Sequence, residues 1–206
     1  MEFSSAFNLL KFVSYYIVNY LAMNEATFFR IRLYATAFVA LAIGSLLTWN
    51  YYHGGIPSHH ILADKDLPKI SNLWGAVLLP LLTWFLLYRT QRRIFHQDNS
   101  HIENSTIRQV VYSFVLSMVY GIILSALFSY HYNDMTGNMM LGIFVIALFF
   151  PVYHSECLLG YVIGMTFTFG AVLPTGIGSI LALIAFVLFR GVRPAVLYVV
   201  SRFSRK

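Results

Sequence analysis

The sequence predicts an all-α fold, a polytopic bundle of helices that crosses a membrane about six times. Apolar residues make up 58% of the 206 positions and charged residues only 11%, whereas a soluble domain carries roughly a quarter charged residues. Several uncharged runs approach the ~20 residues that cross the ~30 Å hydrocarbon core of a bilayer. Basic residues cluster at the ends of these runs, as they do in cytoplasmic loops. We therefore expect one integral membrane domain over residues 1–206.

The first segment, residues 1–25, has an apolar face at helical spacing and a polar face that includes Lys11. A lysine at the centre of a span costs about 2.5 to 3.5 kcal/mol. The pattern therefore favours an interfacial amphipathic helix over a seventh span.

Six spans are predicted near residues 31–52, 73–89, 109–130, 137–153, 157–173 and 177–197. The second contains Pro80, which removes one helical hydrogen bond. The third is the clearest, because residues 110–130 are 21 positions without a charge. The single cysteine, Cys157, excludes an internal disulfide.

Residues 157–189 hold no charge and are too numerous for one span, which needs roughly 17 to 25. The expected break is the segment of Pro174, Gly176 and Gly178, because proline flanked by glycine interrupts a helix. Two short spans and a re-entrant hairpin both fit this run. Gly160 and Gly164 match the small-residue pattern of close helix packing.

The basic residues predict an orientation. Of the 14 Lys and Arg residues, all except Lys65 and Lys69 fall on the side of the termini. Both termini are therefore expected in the cytoplasm, with the protein in the bacterial inner (plasma) membrane. Because the basic residues form no continuous stripe, nucleic acid is not expected as a partner.

Four residues of the outer loops are candidates for catalysis and for a divalent metal: His60, Asp64, His131 and Asp134. Histidine and carboxylate together are common zinc ligands and acid-base groups. His60 and Asp64 would share a face if they lay on a helical turn, and His131 and Asp134 could do so at a spacing of three.

The same outer side carries His53, His59 and Asp66, which are candidates for ligand binding. The string SHHILAD at residues 58–64 resembles a piece of a family of bacterial membrane-bound metal-dependent hydrolases. The resemblance covers these seven residues and no second motif, so the activity is not carried over. Ordinary polarity of solvated loops is the alternative explanation for all these residues.

His154 and Glu156 form a second pair, on the predicted cytoplasmic side, in an otherwise apolar region. Ionisable residues near a membrane are candidates for function, here for ligand binding. Solvation at the interface is the alternative. Pro174 is a third such candidate, because a broken helix can expose backbone groups to a cavity, as in transporters.

Three functions remain open, and the sequence leaves undecided whether the protein is an enzyme. The first is binding of a small solute or lipid for transport or sensing. The second is a membrane-embedded metal-dependent hydrolase with an extracytoplasmic His/Asp site. The third is an accessory or assembly subunit of a membrane complex. The expected partners are the lipid bilayer and further copies of the chain or other membrane subunits.

Overall fold

The structure is a computed structural model that describes residues 25–53, 58–60, 69–71, 73–96, 104–195 and 198. This part of the chain contains six α-helices: α1 Glu25–Tyr52, α2 Leu73–His96, α3 Asn104–Ser129, α4 Asn133–Phe149, α5 Ser155–Phe169 and α6 Val172–Val187. A π-helical turn, Leu188–Val192, continues α6. Between α1 and α2, the short strands β1 Ser58–His60 and β2 Lys69–Ser71 pair antiparallel.

The predicted helical fold class is confirmed, and each predicted span overlaps a helix. In the part of the chain that the structure describes, three helices are long and apolar enough to cross a membrane: Glu25–Tyr52, Thr106–Ser129 and Val172–Ala195. The 15 residues of α5 extend only ~22 Å at ~1.5 Å per residue, short of the ~30 Å hydrocarbon core. The interfacial helix predicted over residues 1–25 lies outside the described residues except at Glu25.

Large apolar side chains face outward from the bundle. Phe38, Leu41 and Phe167 are 73%, 71% and 82% exposed. Soluble proteins rarely expose large contiguous apolar areas. The outward apolar faces are therefore compatible with insertion into a membrane.

The α5 helix lies at the centre and packs against α2, α3 and α6. It runs parallel to α3, and the two backbones are in close contact at glycines. A Cβ atom on Gly160 would overlap the Phe114 carbonyl oxygen, and one on Gly164 would overlap the Met118 carbonyl oxygen. The close packing predicted for this glycine pair is confirmed.

The break between α5 and α6 lies earlier than predicted. Gly170, with φ of 70°, ends α5, and α6 begins at Val172. Pro174 therefore stands in the first turn of α6, where its missing N–H leaves no helical hydrogen bond unmade. The expected break at residues 173–178 is corrected, since these residues are helical.

Five helix ends meet at one end of the bundle. Arg32, near the start of α1, contacts the end of α2, and Arg93 on α2 contacts the start of α5. The start of α3 lies at the same end because α3 and α5 are parallel. Arg190, after α6, acts electrostatically on His154 before α5. We call this the basic end.

Candidate functional site

A cavity of about 700 Å³ lies between α3, α4, α5 and α6. Its volume falls within the ~300 to 1,000 Å³ range of pockets that bind one small molecule. The α3 wall is mainly polar and includes Arg108, Gln109, Tyr112, Ser113, Ser117 and Tyr120. The walls from α4 and α6 are apolar and include Ile143, Ile146, Leu181 and Ala182. The cavity is thus amphipathic.

Helical periodicity explains the polar wall. Gln109, Ser113, Ser117 and Tyr120 recur at intervals of four, four and three residues, so they lie along one face of α3. Arg108 lies at the basic end of this face. Arg108 and Tyr120 are twelve residues apart, which corresponds to ~18 Å at ~1.5 Å per residue. The cavity therefore extends along more than three helical turns.

The cavity opens sideways between α3 and α4. Leu116 on α3 lines it and is 67% exposed, and Phe150, directly after α4, lines it and is 64% exposed. Ile146 also both lines the cavity and is exposed. A molecule beside the bundle could therefore enter between these two helices.

The hydroxyls of two tyrosines that line the cavity have no hydrogen-bond partner among the described residues. They belong to Tyr112 on α3 and Tyr161 on α5, and both oxygens are buried. The hydroxyl of Tyr120, in contrast, donates to the Met139 carbonyl oxygen at 2.7 Å. A buried hydroxyl without a partner lowers the stability of the folded protein by roughly 1 to 3 kcal/mol. Tyr112 and Tyr161 therefore retain unused hydrogen-bonding capacity.

Glu156 forms a buried ion pair at the basic end. It stands in the first turn of α5, and the Arg93 guanidinium donates to its Oε1 atom at 2.6 Å. The Thr90 hydroxyl lies 3.5 Å from Oε2, and His154 Nδ1 lies 3.6 Å from Oε1. His154 and Glu156, which the sequence singled out together, are neighbours in the structure, and their role in ligand binding stays a prediction. The sequence did not reveal Arg93 as the partner, and this ion pair connects α2 to α5.

His154 lies in the turn between α4 and α5. Burial lowers the pKa of its imidazole below the ordinary 6.5, and the nearby charges of Arg93 and Arg190 lower this pKa further. Glu156 acts in the opposite direction and raises it. The neutral imidazole is therefore favoured in the folded protein.

Arg32 is buried, although its position in the sequence indicated an exposed charge at a membrane interface. It is 6% exposed and donates to the Gln91 side-chain oxygen at 3.0 Å. Its guanidinium carbon lies 4.0 Å from the Trp84 ring centre and 5.3 Å from that of Tyr88. Cation–π contacts of this kind stabilise a desolvated cation. The spacing of Trp84, Tyr88 and Gln91 on one face of α2 was the available sequence signal.

No protein-family model, no curated protein and no solved structure matches the chain. The function is therefore inferred from the cavity and the charged groups themselves.

Two outer candidates lie at helix ends. His53 follows α1, where its ring stacks on Trp49 at 3.8 Å between centres. Asp134 lies in the first turn of α4. His131 precedes that helix with φ of 62°, and its Nδ1 lies 3.2 Å from the Ser129 carbonyl oxygen. His131 and Asp134 therefore do not share a helical face, which corrects that expectation.

The outer loop departs from the prediction in a second way. His59 and His60 belong to β1, so the helical turn assumed for His60 and Asp64 does not begin at His60. In this strand His60 pairs with Lys69 of β2. Asp64 and Asp66 lie outside the described residues, as do the side chains of His59 and His60.

Among the described residues, no group of three or more His, Cys, Asp and Glu side chains could hold a metal ion. The metal site stays a prediction, since half of its four residues fall where side chains are not described. Pro174 is fully buried in α6 and is not among the described residues that line the cavity.

Proposed function

We propose that this protein is a membrane protein of about six spans that binds one lipid-like molecule in the cavity between α3, α4, α5 and α6, for transport or sensing. The observation that carries the proposal is the cavity's construction. One wall is polar, the opposite walls are apolar, and the side between α3 and α4 is open. Such a space matches a molecule with a polar head and an apolar chain.

The arrangement in the membrane follows from charge. The basic end gathers Arg32, Arg93, Arg108 and Arg190. Because arginine is enriched on the cytoplasmic side of membrane proteins, we place this end in the cytoplasm, with both termini there. The bacterial inner membrane is the proposed location.

The dimensions favour a lipid over a water-soluble solute. The cavity extends ~18 Å along α3, and one leaflet accounts for half of the ~30 Å hydrocarbon core. A molecule of the cytoplasmic leaflet could therefore enter through the side opening with its chain already surrounded by apolar groups. A path for a polar solute would need polar groups on every wall, whereas α4 and α6 contribute the apolar side chains of Ile143, Leu181 and Ala182.

The test is binding of a fluorescent 16-carbon amphiphile to the purified full chain in detergent. Ile143→Trp places a large ring in the cavity, and Val145→Trp places the same ring on the outward face of α4, where Val145 is 59% exposed. We expect the first variant to weaken binding roughly tenfold or more, equivalent to ~1.4 kcal/mol, and the second to leave it unchanged.

Both variants are first checked for an unchanged elution volume and melting temperature. Equal binding by the two folded variants would show that the amphiphile coats the outer surface only, and the proposal would then be abandoned.

A further inference from the structure

We infer that the ligand of this cavity is a single-chain lipid with a carboxylate head, held by Arg108 at the basic end with its chain directed toward Tyr120. The inference rests on the proposed function and adds the chemical class of the ligand and its orientation.

The charge of the cavity selects an anion. Among the described residues that line it, Arg108 alone carries a charge. The carboxylates in the described part of the chain do not pair with Arg108, and Glu156 is engaged by Arg93. The planar donors of a guanidinium match the two oxygens of a carboxylate. Arg108 is therefore a suitable receptor for a carboxylate group.

Arg190 and Arg193, the two arginines that follow α6, are engaged elsewhere. Arg190 lies over the Phe186 ring and Arg193 over the Phe189 ring, and neither lines the cavity. A single positive side chain balances the single negative charge of a carboxylate. A phosphate monoester carries close to two negative charges and would leave part of its charge uncompensated.

A second donor stands beside Arg108. Tyr112 follows it by four residues, so both lie on the same face of α3. The Tyr112 hydroxyl has no hydrogen-bond partner among the described residues. Gln109 and Ser113 add polar groups within the same turn. A carboxylate at Arg108 would therefore find uncharged donors close by, while the apolar side chains of α4 and α6 contact the chain.

The exposure of Arg108 indicates that the carboxylate head of the ligand lies near the cavity mouth. Arg108 is exposed, so its guanidinium is in contact with water at the cavity mouth, where an ionised acid stays soluble. The loss of one charge-assisted hydrogen bond weakens binding roughly 10- to 100-fold. A neutral alcohol of the same chain length should therefore bind more weakly than the acid by about this factor.

The experiment uses the full chain in detergent and measures displacement of the fluorescent amphiphile by palmitic acid, hexadecanol and hexadecyl phosphate at pH 8. We expect palmitic acid to displace the probe at a concentration roughly tenfold or more below the other two. Arg108→Gln should remove this preference. Arg92→Gln is the matched control, because Arg92 is exposed and lies away from the cavity, and it should keep the preference.

Tyr112→Phe tests the second donor. Because the hydroxyl has no partner to lose, the melting temperature of the ligand-free protein should not fall. The affinity for palmitic acid should fall a few-fold, and that for hexadecanol should change less.

The outcomes separate the two proposals. If acid and alcohol displace the probe equally, the carboxylate assignment is overturned while lipid binding stands. Tighter binding of hexadecyl phosphate would likewise replace the carboxylate by a phosphate. A preference that survives in folded Arg108→Gln would exclude Arg108 as the receptor. If none of the three displaces the probe and the Ile143→Trp variant binds it normally, the proposed function fails as well.

Discussion

At the scale of single residues, the ion pair of Arg93 and Glu156 is unequal in its exposure to solvent. The Glu156 side chain is 3% exposed and that of Arg93 is 28% exposed. A long arginine side chain can move its charge toward water, whereas the carboxylate near the start of α5 is enclosed. The two partners should therefore respond differently to removal of the other.

We expect Arg93→Ala to lower the free energy of unfolding by about 3 to 5 kcal/mol, because it leaves a buried carboxylate unpaired. Glu156→Gln should cost less, about 1 to 3 kcal/mol, since the arginine can find water. The measurement is unfolding in detergent micelles, with Arg92→Ala as the control at an exposed position of α2. Equal losses in the two variants would contradict the asymmetry.

His154 predicts how stability depends on pH. The pKa of its imidazole is lowered in the folded state from the ordinary 6.5, by burial first and then by Arg93 and Arg190. Below pH 6.5 the unfolded chain therefore binds more protons than the folded one, and stability rises with pH. This contribution is fully present above 6.5 and is lost as the pH falls, by at most about 1.4 kcal/mol per pH unit.

The check is the unfolding free energy between pH 7.5 and 5.5 for the unmodified chain and for His154→Gln. The unmodified chain should lose more stability on acidification, because glutamine does not titrate. Parallel curves would show that the imidazole titrates alike in the folded and unfolded states.

Sequence reasoning found His154 and Glu156 because ionisable residues in an apolar region are conspicuous. It could not find Arg93, which is 63 residues away from Glu156, because the last turns of α2 carry three arginines and only helix packing selects one of them. The burial of Arg32 was missed for the same reason: a charge near a helix end is ordinarily solvated, and the aromatic side chains that enclose it come mainly from another helix.

At the scale of elements, the contact of α3 with α5 depends on the absence of side chains. A Cβ atom on Gly160 would meet the Phe114 carbonyl oxygen, which belongs to the rigid backbone of α3. Gly142 on α4, in contrast, has no atom within 4 Å of such a position. The same substitution should therefore have opposite effects at these two glycines.

We expect Gly160→Ala to destabilise the protein by about 1 to 3 kcal/mol, because the two helices must separate. Gly142→Ala should stabilise it by about 0.5 to 1 kcal/mol, because alanine favours the helix over the unfolded chain. Melting temperatures in the same detergent give the comparison. If Gly160→Ala proved as stable as Gly142→Ala, the close packing of α3 and α5 would be refuted.

The helices were largely predictable because long uncharged runs identify them. The boundaries of the helices were less predictable. Pro174 indicated a break, but it lies in the first turn of α6, where proline is accepted, and the turn between α5 and α6 is at Gly170. The ladder of β1 and β2 was not predicted. Each strand has three residues, fewer than the four to eight over which alternation of apolar and polar residues indicates a strand.

At the scale of the whole molecule, the cavity could not be derived from the sequence because four helices enclose it. The helical spacing of Gln109, Ser113 and Ser117 indicates a polar face of α3. Nothing in the sequence, however, placed this face across the cavity from Ile143 and Leu181. The side opening likewise depends on how α3 and α4 pack against each other. The parts that the sequence did predict are those that one helix determines alone.

The orientation in the membrane can be tested at two exposed positions near opposite ends of the bundle. Asp134 lies in the first turn of α4, and Arg92 lies near the end of α2, at the basic end. With the basic end in the cytoplasm, a membrane-impermeant maleimide should label Asp134→Cys in intact spheroplasts and should label Arg92→Cys only after the membrane is permeabilised. The native Cys157 is 7% exposed, and its burial hinders access of the reagent, so the unmodified chain serves as the unlabelled control. Labelling of Arg92→Cys before permeabilisation, with Asp134→Cys protected, would invert the orientation. Labelling of both variants in intact spheroplasts would place the two positions on the same side of the membrane. Because α3 is the helix that separates them, this result would contradict the assignment of α3 as a span.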